Sequence, residues 1–233
     1  MMIGKGVEDI NTHMPKDAYD IGKDMPTFNA YLTIIVRDSK GNVIKVHRQR
    51  SHSPTSNFIG LMLPVAYFIN TGSSYTLENI GNSTYGYKPC LSNGCQNIAY
   101  PNNNANSPTY FVMIQVGNGE QSNPLTATKL GAPIANGSGS GQLIYGAASI
   151  PSNIVVSGDS VYFYIAQTFT NQSGGTITIT EVGIIMYLVL QTANTTGYTV
   201  VGSLLTWYDV LSSSISVPNG GSVTIYYTFT VNP

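Results

Sequence analysis

Few residues of this chain are of types that do chemistry, and they are scattered. Its three histidines, His13, His47 and His52, all fall in the first quarter of 233 residues. The carboxylates of the second half are Glu120, Asp159, Glu181 and Asp209. Glu181 with Asp209 or Glu120 would suit glycoside hydrolysis, which needs two carboxyl groups across one bond. No Gly-x-Ser-x-Gly elbow, phosphate loop or metal-spaced His/Cys set accompanies them. Glu181 is better explained as a strand residue whose carboxylate meets backbone N–H groups or a basic partner. A lone buried carboxylate is costly, and Lys129 is the candidate partner. An enzyme is not expected, nor is a cofactor or a metal.

The two cysteines lie in Cys90-Leu-Ser-Asn-Gly-Cys95. A metal site would lack its remaining ligands. A local disulfide is preferred, contributing ~2 kcal/mol through loop entropy and implying an oxidising or very hot environment. Two free thiols are the remaining alternative. Sixteen tyrosines and one tryptophan, with Asn-rich loops, suit stacking on sugars. Many of these tyrosines sit in strand patterns, where β propensity explains them. Tyr75, Tyr85, Tyr87 and Tyr100 are the candidate receptor face, and a receptor- or carbohydrate-binding module is the alternative function. Sequons place candidate glycosylation at Asn82, Asn136, Asn171 and Asn194. Lys45, His47, Arg48, Arg50 and His52 form a basic run without interleaved aromatics, which favours a solvated strand end over an anion site.

Charged residues make up 9% of the chain, against about 25% in ordinary soluble domains. Residues 1–50 hold 14 of the 21, so the body beyond is charge-poor. Sheet edges are normally guarded by charges. Here they are expected to be covered, or used in assembly. A hydrophobic content of 42% opposes disorder, and a net charge of -1 opposes nucleic acid as the main partner. No apolar stretch reaches the roughly 18–20 residues of a membrane span. The start, Met-Met-Ile-Gly-Lys, does not read as a secretory signal. The expected layout is an N-terminal arm over 1–25 and a β domain over 26–233, with a loop insertion at 70–108.

The elements that must position these residues are strands. Tyr31–Arg37 and Val43–Val46 flank Asp38-Ser-Lys-Gly-Asn42 as a hairpin. Ser56 or Asn57 could cap a short buried helix from Phe58, with an extended tail reaching Ile69. Further strands are predicted over 110–116, 143–145, 154–156, 161–169, 176–190, 198–205, 214–217 and 222–231. In 176–190, period-two alternation gives way at Val182 to a continuous apolar run, as in a strand buried on both faces. The predicted fold is all-β, an antiparallel β-sandwich of jelly-roll or immunoglobulin-like type with a long loop insertion.

Several of these stretches recur in one order: Val116-Gly-Asn-Gly119, then Thr126 to Leu130, then Phe169-Thr-Asn171 and Ile179-Thr-Glu-Val-Gly-Ile184. Leu204-Leu205 follows, then Val217-Pro-Asn-Gly-Gly-Ser222 leading to Val231. In this order, over residues 110–231, the chain resembles structural proteins of phages and archaeal viruses, in their tail, fibre and capsid-appendage modules. The first hairpin and Asn57-Phe58 are similar to the opening of some proteins of viruses of hyperthermophilic archaea. The Cys-bearing insertion departs from the pattern, as does Thr206-Trp207, where an Arg usually follows the Leu-Leu pair. The resemblance supplies no catalytic residue. It implies a virion structural protein outside the cell, the subunit of a fibre or filament, joined by donor-strand exchange. The candidate assembly strands carry Tyr31, Ile34 and Val36, or Val223, Ile225, Tyr227 and Phe229. The expected partners are copies of the chain, other virion proteins and host-surface glycans.

Overall fold

The computed structural model describes residues 27–51, 53–59, 75–82, 84–87, 112–149, 154–191 and 198–232. Eleven strands are formed by these residues. They are β1 (Thr27–Arg37), β2 (Val43–Ser51), β3 (Tyr75–Glu78), β4 (Thr84–Tyr87), β5 (Val112–Gly117), β6 (Ile144–Tyr145), β7 (Val155–Ser157), β8 (Ser160–Thr170), β9 (Ile177–Gln191), β10 (Tyr198–Val217) and β11 (Ser222–Asn232). The first sheet runs β2-β1-β11-β8-β6, with β7 also on β8, and the second runs β10-β9-β5. Every pairing is antiparallel.

Alternation decides which side faces in. On β1, Ala30, Leu32, Ile34 and Val36 are buried; on β11, Val223, Ile225, Tyr227 and Phe229 are. They meet Ile114, Val116, Val182, Ile184, Ile215 and Val217 of the second sheet in one apolar core. The all-β expectation therefore holds, as two packed antiparallel sheets.

The second sheet is covered on its other face as well. Ala127, Leu130, Ile185, Leu205 and Tyr208 form a smaller cluster there, under the segment linking β5 to β6. This explains the continuous apolar run from Val182. It also explains Gly183, where a Cβ would lie 2.5 Å from Leu205 Cδ1 and 2.9 Å from Leu130 Cδ1. Ile177 and Ile179 face the main core, and so do Val182 and Ile184, so β9 changes face across Thr180-Glu181. Glu181 is thereby turned away from the main core.

Two predicted strands, 198–205 and 214–217, are one. β10 continues through Thr206–Ser213, with register shifts at 200–202, 205–207 and 210–215. The shifts are bulges, which bend a strand without ending it. The predicted helix begins at residue 56, with Ile59 N–H donating to the Thr55 carbonyl, and its course beyond 59, with the tail to Ile69, lies outside the described residues. Neither Ser56 nor Asn57 is its first acceptor; the Asn57 side chain donates to the Leu205 carbonyl instead. In the insertion, β3 and β4 pair as a hairpin, and Ile80 N–H reaches the Ser203 carbonyl of β10.

Both candidate assembly strands are paired within the folded chain. β1 is bonded on both sides, to β2 and β11, and β11 to β1 and β8. Neither has an edge to give to a neighbour. Ile34, Val36, Val223, Ile225, Tyr227 and Phe229 are this molecule's own core, and only Tyr31 is exposed.

Candidate functional site

Glu181 is fully buried, and its carboxylate accepts four hydrogen bonds. Gly119 N–H (3.2 Å) and Ala132 N–H (2.7 Å) donate to Oε1, while Gly131 N–H and the Tyr208 hydroxyl donate to Oε2, both at 2.8 Å. Tyr208 accepts from Gln121 N–H in turn. Burial, with the bond to Glu181 adding to it, raises the Tyr208 phenol well above its ordinary value. The carboxylate pins both ends of the 118–133 segment onto the second sheet. The segment fits because Gly119 and Gly131 let the two legs touch: a Cβ on Gly131 would lie 2.7 Å from Glu120 N. Backbone N–H groups were one of the two expected environments. Lys129 is not the partner; its backbone carbonyl accepts from the Gln121 side chain.

Asp209 lies on the opposite face, between the sheets. Its Oδ2 accepts from the Ser51 hydroxyl and from the Tyr227 hydroxyl at 3.0 Å, and Trp207 Nε1–H donates to Ser51 Oγ. Burial and the Asp209 charge raise the Tyr227 phenol well above the usual range. Glu181 and Asp209 therefore do not converge on one opening, and the two-carboxylate arrangement of a glycosidase is not formed by this pair.

The inward face of β2 continues this polar seam. Gln49 donates to the Val210 carbonyl and accepts from Ser212 N–H, and Lys45 Nζ donates to the Ser214 carbonyl at 2.9 Å. These side chains satisfy backbone groups of β10 at its largest bulge. Higher up, residues 53–55 pair with Thr206–Tyr208 along the same edge. The basic run thus divides: Lys45 and His47 turn inward, while Arg48 and Arg50 remain outside and exposed.

Among the described residues, the sandwich is open at one end. A cleft of about 260 Å³ enters between the sheets there, lined almost wholly by apolar groups. Phe28 of β1, Phe163 of β8, Phe229 of β11, Trp207 of β10 and Phe58 surround it. The rings are in contact: Phe163–Phe229 at 4.9 Å, Trp207–Phe229 at 5.1 Å and Phe58–Trp207 at 5.2 Å. Phe28 keeps 52% of its surface and Phe163 37%, although both lie on the inward side of their strands' ends. Sequence reasoning missed this cleft. Phenylalanines spaced through the chain give no local signal; register alone brings them to one end.

The sequons differ. Asn82 and Asn136 are exposed. Asn171 is fully buried, donating to the Gly175 and Val217 carbonyls, both at 2.8 Å, and accepting from Ser173. It is a clamp between two turns and not a glycan acceptor in the folded chain. Tyr75, Tyr85 and Tyr87 lie on the β3–β4 hairpin, Tyr75 opposite Tyr87. Tyr100, Asn194, Cys90, Cys95 and residues 1–26 lie outside the described residues. No helix among the described residues is long and apolar enough to cross a membrane. Comparison with protein families, with curated proteins and with solved structures finds no match.

Proposed function

We propose that the chain is a structural subunit of an extracellular viral assembly, a fibre, filament or capsid appendage. On this reading the sandwich is of jelly-roll or immunoglobulin-like type, and its partner is a second copy of itself. The observation that carries it is the open aromatic cleft. Exposed aromatic surface between two sheets costs free energy, and each large apolar side chain inserted there would recover about 1.5–3 kcal/mol. Since β1 and β11 are committed internally, the joint does not use them as donors. The N-terminal arm is the better candidate: Thr27, where the described residues begin, adjoins Phe28 at the cleft, and the 26 residues before it carry Ile3, Val7, Ile10 and Ile21. The buried carboxylates fit the same role, since both are spent on holding the framework. The test is Phe163→Asp in the full-length chain. Loss of assembly in light scattering, with thermal unfolding retained, is expected. Assembly unchanged by that substitution would count against the cleft as the joint.

A further inference from the structure

The outer face of the first sheet carries a row of side chains across four strands. Register sets Arg50 of β2 opposite Tyr31 of β1, Tyr31 opposite Thr228 of β11, and Thr228 opposite Tyr164 of β8. The adjacent row is Arg48, Thr33 and Tyr226. The Tyr164 and Tyr226 rings lie 6.2 Å apart, closing the far side. A shallow groove of about 410 Å³ runs over Tyr31, Thr33, Arg48, Arg50 and Thr228. Arg50 Nη2 donates to Asn29 Oδ1 at 2.9 Å, which orients its guanidinium before any ligand arrives. Among the described residues no carboxylate pairs with either arginine. Two like charges on one side of a strand repel, and an anion placed between them relieves that. The basic run has no aromatic within it, but the neighbouring strand supplies one.

We infer that this groove binds an acidic saccharide through its carboxylate. The guanidinium fork matches a carboxylate in two parallel hydrogen bonds, which an ammonium does not. The exposed Tyr31 ring offers an apolar face against which a sugar ring stacks, and its hydroxyl remains at the edge. Thr33 and Thr228 bring hydroxyls that both donate and accept, as sugar hydroxyls require. A nucleic acid fits less well, because its affinity comes from many phosphate contacts and this groove is lined by two cations. The inference is independent of the subunit proposal, whose readout is assembly and not saccharide affinity.

The test is isothermal titration of the full-length chain with tetragalacturonate and with its carboxyl-reduced, neutral counterpart. Saturable binding of the acid is expected, weakening with added salt, and the neutral sugar should bind at least about tenfold more weakly. Arg48→Ala breaks no hydrogen bond among the described residues, so it should keep the thermal unfolding of the parent and still lose about tenfold in affinity. Tyr31→Ala should lose a similar factor, and Lys129→Ala none. Absence of binding, equal binding of the neutral sugar, or unchanged affinity in Arg48→Ala would overturn the inference. So would tighter binding of a single-stranded oligonucleotide than of the acid.

Discussion

Glu181 is worth more to the fold than its single charge implies, because four donors converge on it. Glu181→Gln keeps the shape but turns an amide NH2 toward an N–H donor, whichever way it flips. Removing or mismatching the carboxylate strands several buried donors, at about 1–3 kcal/mol each. We expect a loss of at least about 3 kcal/mol in chemical denaturation, and a loss below about 1 kcal/mol would show that the cradle is not structural. Part of this was legible: a lone carboxylate in a strand demands partners. Which partners was not, since three of the four donors come from a loop 49 to 62 residues away. The buried phenols give a pH dependence. Burial pushes Tyr145 up to about 12, and raises Tyr208 and Tyr227 as well. In the unfolded chain they ionise near 10. Between pH 10 and 12 the unfolded state therefore releases protons that the folded state keeps, so stability is full below pH 10 and falls as pH rises through 12. Tyrosinate absorbance from these phenols should appear together with loss of the β-sheet circular dichroism signal. Their ionisation at pH 10 with the sheets intact would contradict this.

Among the elements, the strands that alternate cleanly were legible and the irregular one was not. β1 and β11 follow period two almost to their ends, because one face is core and the other is solvent. β10 read as two strands because Ser212-Ser213-Ser214 interrupts its apolar pattern. Its continuity depends on polar side chains of β2, some 160 residues away, that meet the bulge. Gln49→Leu removes both a donor and an acceptor there. We expect about 2 kcal/mol of destabilisation, with hydrogen exchange accelerating first at Ser212. Uniform loss of protection across both sheets would argue that the seam has no local role. The turn clamp at Asn171 makes a second prediction. When the folded chain is made in a glycosylating host, peptide mass spectrometry should find no sugar on Asn171, while Asn82 and Asn136 remain open to modification. A glycan on Asn171 in folded material would contradict the buried clamp.

In the whole molecule, the strands nearest the two ends of the described fold, β1 and β11, lie side by side in the middle of one sheet. Neither of these two strands is therefore at an edge of its sheet, and the proposed joint is placed instead at the aromatic cleft. The class of fold was legible, because strand periodicity and turn residues suffice for it. Strand order was not, since pairing of β1 with β11 links residues about two hundred positions apart, and the cleft followed strand order out of reach. The proposal that the chain builds an assembly stands on that cleft and on the charge-poor body. Its most direct test is electron microscopy of the purified full-length chain, with light scattering over a rising concentration series. The account predicts filaments or regular particles whose subunit contacts cover Phe28 and Phe163. A monodisperse monomer at every concentration, with those rings still exposed, would contradict it.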